Sequence, residues 1–201
     1  MNLKYMILGA GGTGGILGFY MTKAGKDVTL IARNAHLAAM KEQGLTVCHL
    51  WDGTTETVPV KAENMETYES MIASAGEAAK PDVILVCVKG YSLDNTVPFI
   101  QKIAKKSTIV IPILNIYGTG SRLQKKLPEL LVTDGCIYVS ANIEGPGALV
   151  QHGKILRVVF GVREKSEFRE ELKEIAKDFS DSGISGELSE NIRRDALEKF
   201  S

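Results

Sequence analysis

The chain has 201 residues, of which 44% are hydrophobic, enough for one large domain or for one domain and part of a second. Its 24 basic residues balance 24 acidic ones, so nothing indicates a nucleic acid or a membrane surface as partner. No apolar segment approaches the ~18 residues of a transmembrane helix, and the N-terminus lacks a signal-peptide pattern, so we expect a cytoplasmic protein. Cys48, Cys87 and Cys136 lie in apolar stretches, which indicates reduced core residues and no metal site.

A glycine-rich segment near the N-terminus follows a short apolar run, residues 4–8, that predicts a buried strand. The segment matches G-x-G-x-x-G: Gly9 permits a tight turn, Gly11 lets a pyrophosphate approach the backbone, and Gly14 lets helix and strand pack closely. The helix that follows would offer free N–H groups and a partial positive charge to a phosphate. A plain glycine-rich turn is the alternative interpretation. The pattern favours a dinucleotide site formed by Gly9, Ala10, Gly11, Gly12, Thr13 and Gly14.

A second strand, expected over residues 27–32, completes a β-α-β unit. Arg33 follows it directly, at the position where NAD-binding enzymes place Asp or Glu and NADP-binding enzymes often place Arg. A guanidinium matches the geometry of a phosphate, whereas an arginine at a strand end is otherwise a solvated surface charge. We therefore expect NADP(H) as cofactor, with Arg33 at its 2′-phosphate.

Two further apolar runs, residues 83–88 and 108–114, predict central parallel strands that end at Lys89 and Asn115. The carboxyl ends of such strands form the crevice in which doubly wound folds bind ligands. Lys89 is therefore expected to line the cofactor crevice. Asn115, whose amide both donates and accepts hydrogen bonds, is expected to contact the nicotinamide or a substrate oxygen. The alternatives are a solvated lysine and a turn residue.

The remaining segments predict four capped helices and two antiparallel strand pairs. We expect a helix over 34–43 with Asn34 as its cap, and a helix over 92–105 with Ser92 as its cap. A third helix is capped by Ser166 and ends at Gly183, and a fourth, over 188–201, is capped by Ser189. A peripheral hairpin is expected around Asp52-Gly53, and residues 136–144 and 148–161 are expected to form an antiparallel edge pair. Together the elements predict an α/β fold: a Rossmann-type, doubly wound, mainly parallel sheet with helices on both faces.

Several ordered segments resemble those of one family, the ketopantoate reductases (2-dehydropantoate 2-reductases), over essentially the whole chain. The matching segments are 9–15, 28–33 with His36-Leu37, 86–89, 114–115 with Gly118, 144–147 with His152-Gly153, and 192–200. The nucleotide motif alone occurs in many dehydrogenases, so the ordered combination is the more specific indication.

The resemblance implies NADPH-dependent reduction of 2-dehydropantoate to pantoate, a step of pantothenate and coenzyme A biosynthesis. It implies that Lys199 is the general acid that protonates the keto oxygen, and that Asn115 contacts nicotinamide and substrate. It also implies a division into a cofactor-binding domain, residues 1–186, and the start of a truncated all-α domain for substrate binding and dimerisation, residues 187–201. We therefore expect the chain to bind cofactor but to be inactive alone, with a homodimer as a further possibility.

One departure from the family pattern leaves the substrate open. Leu114-Asn115-Ile116 stands where family members usually have Gln-Asn-Gly, which would permit a different loop beside the nicotinamide. Two alternatives therefore accompany the main hypothesis: a reductase of another 2-keto acid, and a nucleotide-binding module without catalytic activity.

Overall fold

The structure is a computed structural model that describes residues 2–201, in which we find thirteen strands and seven α-helices. The strands are β1 Lys4–Leu8, β2 Asp27–Ile31, β3 Leu45–His49, β4 Thr54–Val58, β5 Lys61–Glu63, β6 Val83–Val86, β7 Ile109–Pro112, β8 Leu131–Val132, β9 Asp134–Tyr138, β10 Ala141–Gly145, β11 Ala148–Gln151, β12 Arg157–Gly161 and β13 Ser185–Leu188. The helices are α1 Gly14–Lys23, α2 Asn34–Gln43, α3 Met65–Ala75, α4 Val97–Ile103, α5 Thr119–Lys126, α6 Glu171–Asp181 and α7 Ile192–Phe200.

The main sheet has six strands in the order β5-β2-β1-β6-β7-β8, and every neighbouring pair is parallel. The chain moves from β1 toward one edge through β2 and β5, then returns to pair β6 with the other side of β1. Strand order therefore reverses at β1, and such switch points are where doubly wound sheets bind ligands. The predicted fold class is confirmed.

Side chains of β1 alternate between two hydrophobic clusters, one on each face of this sheet. Tyr5 and Ile7 point to the face covered by α1, α6 and the smaller sheets, whereas Met6 and Leu8 point to the face covered by α3, α4 and α5. The sheet is thus buried on both faces, which is why the sequences of its central strands are unbroken apolar runs.

Two smaller sheets contain the segments predicted as a peripheral hairpin and an edge pair. β3 and β4 do form the hairpin, but β3 also pairs with β11, giving a sheet ordered β10-β11-β3-β4. Its residues Leu45 and Val47 are fully buried against the main core, so the expectation that this hairpin is peripheral was wrong. The antiparallel pair expected around residues 145–147 is formed by β10 and β11, with β10 at the sheet edge. The outer parts of the two predicted runs, β9 and β12, pair instead in a third sheet ordered β13-β12-β9.

Helix starts differ from the prediction at four serine or asparagine residues. Ser92 lies in a 3₁₀ turn, and α4 begins only at Val97, because Pro98 is tolerated in the first turn of a helix and not further inside. Ser166 likewise lies in a 3₁₀ turn ahead of α6. The cap of α7 is Asn191, which accepts from the Arg194 N–H at 3.1 Å, in place of Ser189. Asn34 is the first residue of α2, not its cap.

Proline at the end of β7 is compatible with a central strand because of the direction its nitrogen faces. The neighbouring N–H of Ile113 donates to Val86 of β6 at 2.8 Å, so the Pro112 nitrogen faces β8. β8 pairs only with Ile109 and Val110, and the missing donor therefore lies beyond that short strand.

The last helix packs on the third sheet. Ile192 is buried with Cys136 and Val159, while Leu197 and Phe200 are 52% and 36% exposed. Strands β9 and β12 of the third sheet therefore cover Ile192. The predicted boundary at residues 186/187 falls inside β13. Within residues 2–201, the helices are too short or too polar for any of them to traverse a bilayer.

Candidate cofactor and proton-donor site

The glycine turn between β1 and α1 has the close packing that the motif requires. Gly9 adopts φ +104°, and a Cβ there would lie 2.8 Å from the Cys87 carbonyl oxygen of the neighbouring strand end. A Cβ on Gly14 would clash with the Gly9 carbonyl oxygen, so helix and strand approach each other at this glycine. Ala10 between them is buried. These are the separate roles that the sequence predicts for Gly9 and Gly14.

Gly11 differs from its neighbours because space is open above it. A Cβ there would meet only the Cδ1 atom of Ile143, at 3.9 Å, among the described residues. Thr13 is the N-cap of α1 without a side-chain cap bond, and the first turn of the helix contains no acidic residue. The turn thus leaves room and backbone donors for an anion, which is what a pyrophosphate needs. At Gly12, by contrast, the Ala141 carbonyl group of β10 fills the space that a Cβ would need.

Arg33 lies at the carboxyl end of β2, beside the glycine turn. The Gly9 N–H donates to the Ile31 carbonyl at 3.1 Å, which joins this strand end to the turn. Arg33 is exposed, and within residues 2–201 its guanidinium has neither a hydrogen bond nor an ion pair. The side chain is therefore available to a ligand at this edge. Asn34 beside it has φ +57°, a conformation that Asn tolerates better than most residues.

Lys89 and Asn115 lie past the carboxyl ends of β6 and β7, and both are exposed. The loops that carry them touch, because Ile116 projects over Gly90. The structure therefore brings the glycine turn, Lys89 and Asn115 to the same edge of the sheet, as expected for consecutive parallel strands.

Lys199 reaches this edge from α7. Its Nζ atom donates to the Asn115 Oδ1 atom at 2.8 Å and to the Ile137 carbonyl oxygen of β9. It also lies 5.0 Å from the centre of the Tyr138 ring, within the range of a cation–π contact. Asn115 and Lys199, the two residues suggested for catalysis, are thus in direct contact.

Burial changes the proton affinity of two groups near the site. The partly buried ammonium of Lys199 is less well solvated, which lowers its pKa. Burial raises the pKa of the Cys87 thiol to about 12, so that it stays protonated beside the glycine turn.

Sequence reasoning missed two contributors. His36 was noted only as part of a matching segment, yet its ring joins the Ala10 carbonyl to the Gly147 N–H. The β10–β11 hairpin was predicted only as an edge pair, and it also packs on the glycine turn through Ala141 and Ile143. The sequence hint was the excess of glycine: Gly12 and Gly15 are not required by the motif, but both face this hairpin closely.

Known proteins are similar in sequence to nearly the whole chain. The "uncharacterized oxidoreductase YkpB" of Bacillus subtilis (strain 168) is 26% identical over 98% of the chain, and the 2-dehydropantoate 2-reductase of Pyrococcus horikoshii is 29% identical over 94%. The chain covers 61% and 57% of the lengths of these two proteins, so it spans about three fifths of such relatives.

Solved structures of known proteins are also similar to nearly the whole chain. The 2-dehydropantoate 2-reductase from Porphyromonas gingivalis W83 superposes with a TM-score of 0.84 at 26% identity, covering 100% of this chain and 68% of that one. D-mandelate dehydrogenase in ternary complex with NADH and anilino(oxo)acetate superposes with a TM-score of 0.82 at 26% identity, covering 98% of this chain and 60% of that one. The family model of ketopantoate reductase PanE/ApbA matches residues 5–165. The chain therefore belongs to the ketopantoate reductase family of oxidoreductases.

Proposed function

We propose that the chain provides the cofactor-binding part and the proton donor of an NADPH-dependent reductase that converts 2-dehydropantoate to pantoate in pantothenate and coenzyme A biosynthesis. The observation that carries the proposal is the 2.8 Å contact between Lys199 and Asn115, at the sheet edge that also carries the glycine turn. A cation and a neutral amide at this place suit a developing alkoxide.

The residues present fit a dinucleotide phosphate. Gly11 leaves space where a side chain would block a pyrophosphate, and the exposed Arg33 lies at the adjacent strand end for a 2′-phosphate. Lys89 adds a positive charge at the same edge. When bound, the nicotinamide cofactor supplies the hydride for the carbonyl carbon.

Lys199 is suited to supply the matching proton. An ammonium has three N–H donors, and Asn115 and the Ile137 carbonyl accept two of them, which leaves one for a substrate oxygen. Hydride addition at carbon and transfer of this proton to oxygen together convert the C=O group to CH–OH and leave a neutral amine, which regains a proton from water. Within residues 2–201 the Asn115 Nδ2 group has no hydrogen-bond partner, so its two donors are available to the substrate or to the nicotinamide amide.

We propose the division into residues 1–186 for cofactor binding and 187–201 as part of a substrate domain. Asn115 is exposed and Lys199 is only partly buried, so the site in residues 1–201 is open to water. Open solvent weakens electrostatic stabilisation, and we therefore expect turnover by these residues alone to be far below that of a full-length relative.

A second candidate is a reductase of a different 2-keto acid. It is favoured by the similarity to D-mandelate dehydrogenase, and by Ile116, which is 54% exposed directly after Asn115 and could contact an apolar substituent.

The test measures binding and turnover separately. NADPH and NADH are titrated by fluorescence. NADPH oxidation is followed with 2-dehydropantoate and with phenylglyoxylate, both in the 201-residue chain and in an extended chain that carries a helical substrate domain, and kcat values are compared in the extended chain. Lys199→Met should leave cofactor affinity within about threefold and reduce kcat roughly 100-fold or more, the usual contribution of a general acid. Asn95→Leu, at an exposed asparagine outside the site, serves as the control. If the chain binds neither cofactor, the proposal is wrong.

A further inference from the structure

We propose that His36 is a positioning residue for the dinucleotide, because it fixes the Ala10–Gly11 peptide so that the Gly11 N–H faces the pyrophosphate. This inference rests on the cofactor-binding role proposed above. Neither the glycine motif nor the proton donor includes His36, which lies in the first turn of α2, three residues after Arg33.

The hydrogen bonds of His36 define which ring nitrogen carries the proton. Its Nδ1 atom lies 2.9 Å from the Gly147 backbone nitrogen, and its Nε2 atom lies 2.7 Å from the Ala10 carbonyl oxygen. A backbone N–H can only donate, so Nδ1 is the acceptor and is unprotonated. Nε2 therefore carries the proton and donates to Ala10. Both bonds are satisfied by the neutral ring in one tautomer.

The bond to Ala10 determines the direction of the next N–H group. In a trans peptide the C=O of one residue and the N–H of the following residue point in opposite directions, and no peptide in residues 2–201 is cis. Because His36 holds the Ala10 carbonyl on its own side, the Gly11 N–H faces the other way. The Gly11 carbonyl is held in turn by the Gly15 N–H at 2.8 Å. Both peptide groups beside Gly11 are thus fixed.

The bond to Gly147 ties a third segment to the same histidine. Gly147 lies in the turn between β10 and β11 with φ +70°, and a Cβ there would come within 2.9 Å of the Ala39 Cβ on α2. The hairpin also packs on Gly12 through the Ala141 carbonyl. His36 consequently fixes the pyrophosphate turn, the hairpin over it and the helix that begins beside Arg33 relative to one another.

Two conservative variants separate the two hydrogen bonds. The amide oxygen of an asparagine lies near the position of Nδ1, so His36→Asn keeps an acceptor for Gly147 and loses the donor to Ala10. The amide nitrogen of a glutamine lies near the position of Nε2, so His36→Gln keeps the donor to Ala10 and loses the acceptor for Gly147. His36→Ala loses both, and Gln43→Ala, exposed at the other end of α2, serves as the control.

We expect NADPH affinity to follow the Ala10 bond. His36→Gln should bind within about twofold of the wild type, whereas His36→Asn and His36→Ala should bind roughly five- to tenfold more weakly, the effect of one neutral hydrogen bond. The unfolding midpoint in urea should instead be higher for His36→Asn than for His36→Ala, because the buried Gly147 donor stays satisfied. If the asparagine and alanine variants fold and bind like the wild type, the positioning role is wrong.

Two further results separate this inference from its premise. A wild-type chain that binds neither NADPH nor NADH overturns the proposed function and this inference with it. A wild-type chain that binds while affinity across the variants simply follows their stability overturns the inference alone. The ¹⁵N spectrum of the wild-type histidines gives an independent check, since His36 must show an unprotonated Nδ1 and a protonated Nε2. A proton on Nδ1 contradicts the geometry on which the inference depends.

Discussion

The Nζ atom of Lys199 lies 2.8 Å from the Oδ1 atom of Asn115, although 84 positions separate the two residues in the sequence. The contact brings the last helix to the carboxyl end of β7, and it also orients the Asn115 amide. Because Oδ1 accepts from the ammonium, the Nδ2 group faces away and can donate to a ligand. One side chain therefore positions the proton donor and presents a donor of its own.

Removing this amide should lower turnover more than cofactor affinity. Asn115→Leu keeps the branched shape of the side chain but, within residues 2–201, leaves Lys199 with only the Ile137 carbonyl as a hydrogen-bond partner. We expect kcat for the keto acid to fall roughly 10- to 100-fold, since hydrogen bonds to charged groups contribute about 1.5–3 kcal/mol. Steady-state rates at saturating NADPH, measured in a chain extended by a helical substrate domain, provide the comparison. An unchanged kcat would show that the contact does not contribute to catalysis.

The preference for NADPH should depend on Arg33. The side chain is exposed, so Arg33→Ala should hardly change stability but should lower the NADPH-over-NADH preference by roughly tenfold to a hundredfold. Lys41→Ala removes the same charge from the other end of α2 and serves as the matched control. Equal affinities for the two cofactors in the wild-type chain would contradict the assignment.

Gly11→Val should abolish cofactor binding while the fold survives. Among the described residues the new Cβ would meet only Ile143, at 3.9 Å, so the branched side chain can occupy the space that a pyrophosphate needs. Gly153→Val is the matched control, since a Cβ there would have no atom of residues 2–201 within 4 Å apart from its immediate chain neighbours. By contrast, Gly14→Ala should fail to fold stably. Calorimetric titration with NADPH and thermal melts of all three variants test these expectations.

What the sequence predicts well is the part of the fold that local rules determine. The β1–α1–β2 unit, the apolar central strands and the polar residues at their ends follow from hydrophobic periodicity, turn chemistry and the known topology of parallel sheets. These rules place Gly11, Arg33, Lys89 and Asn115 at one edge without any knowledge of long-range contacts.

What it does not predict is which distant strands pair. β3 and β11 are separated by about a hundred residues, and both contact α1, which no local sequence pattern indicates. The same holds for His36, because a histidine in the first turn of a helix gives no local indication that Ala10 and Gly147 will flank it. Helix starts also shifted, because serine forms local turns as readily as it caps helices.

Alkaline destabilisation should depend in part on Tyr5. Its buried hydroxyl donates to the Asp178 Oδ2 atom at 2.6 Å, and Lys26 lies 3.1 Å from the other carboxylate oxygen. Burial, and then the bond to Asp178, raise the pKa of Tyr5 above that of a free tyrosine. Above about pH 10 the unfolded chain loses this proton while the native chain keeps it, so stability falls as pH rises.

Tyr5→Phe should therefore be less stable than the wild type at pH 8, by about 1–2 kcal/mol, yet lose less stability between pH 8 and 11. Urea unfolding at both pH values gives the comparison, with Tyr91→Phe, at an exposed tyrosine, as the matched control. A pH dependence equal to that of the wild type would show that Tyr5 does not titrate differently in the two states.

Lys199 should change the pH dependence of stability in the opposite direction from Tyr5. Burial lowers the pKa of its ammonium, so between that pKa and the unfolded value of about 10.4 the unfolded chain binds more protons. Stability from this group therefore rises with pH in that interval. The donor form is also lost at a lower pH than for an exposed lysine, so the reductase activity should decline earlier on the alkaline side.

The ε-¹³C signal of Lys199, assigned by its absence in Lys199→Arg, can be titrated without any turnover. We expect its pKa to lie below that of the same residue in the urea-unfolded chain. Asn115→Asp places a carboxylate 2.8 Å from the ammonium and should raise the pKa, because an opposite charge favours the charged form. The alkaline limb of the rate profile should move upward with it. If Lys199 in the native chain titrates at or above the unfolded value, hydrogen bonding to Asn115 and Ile137 outweighs burial, and the donor is a weaker acid than the site geometry indicates.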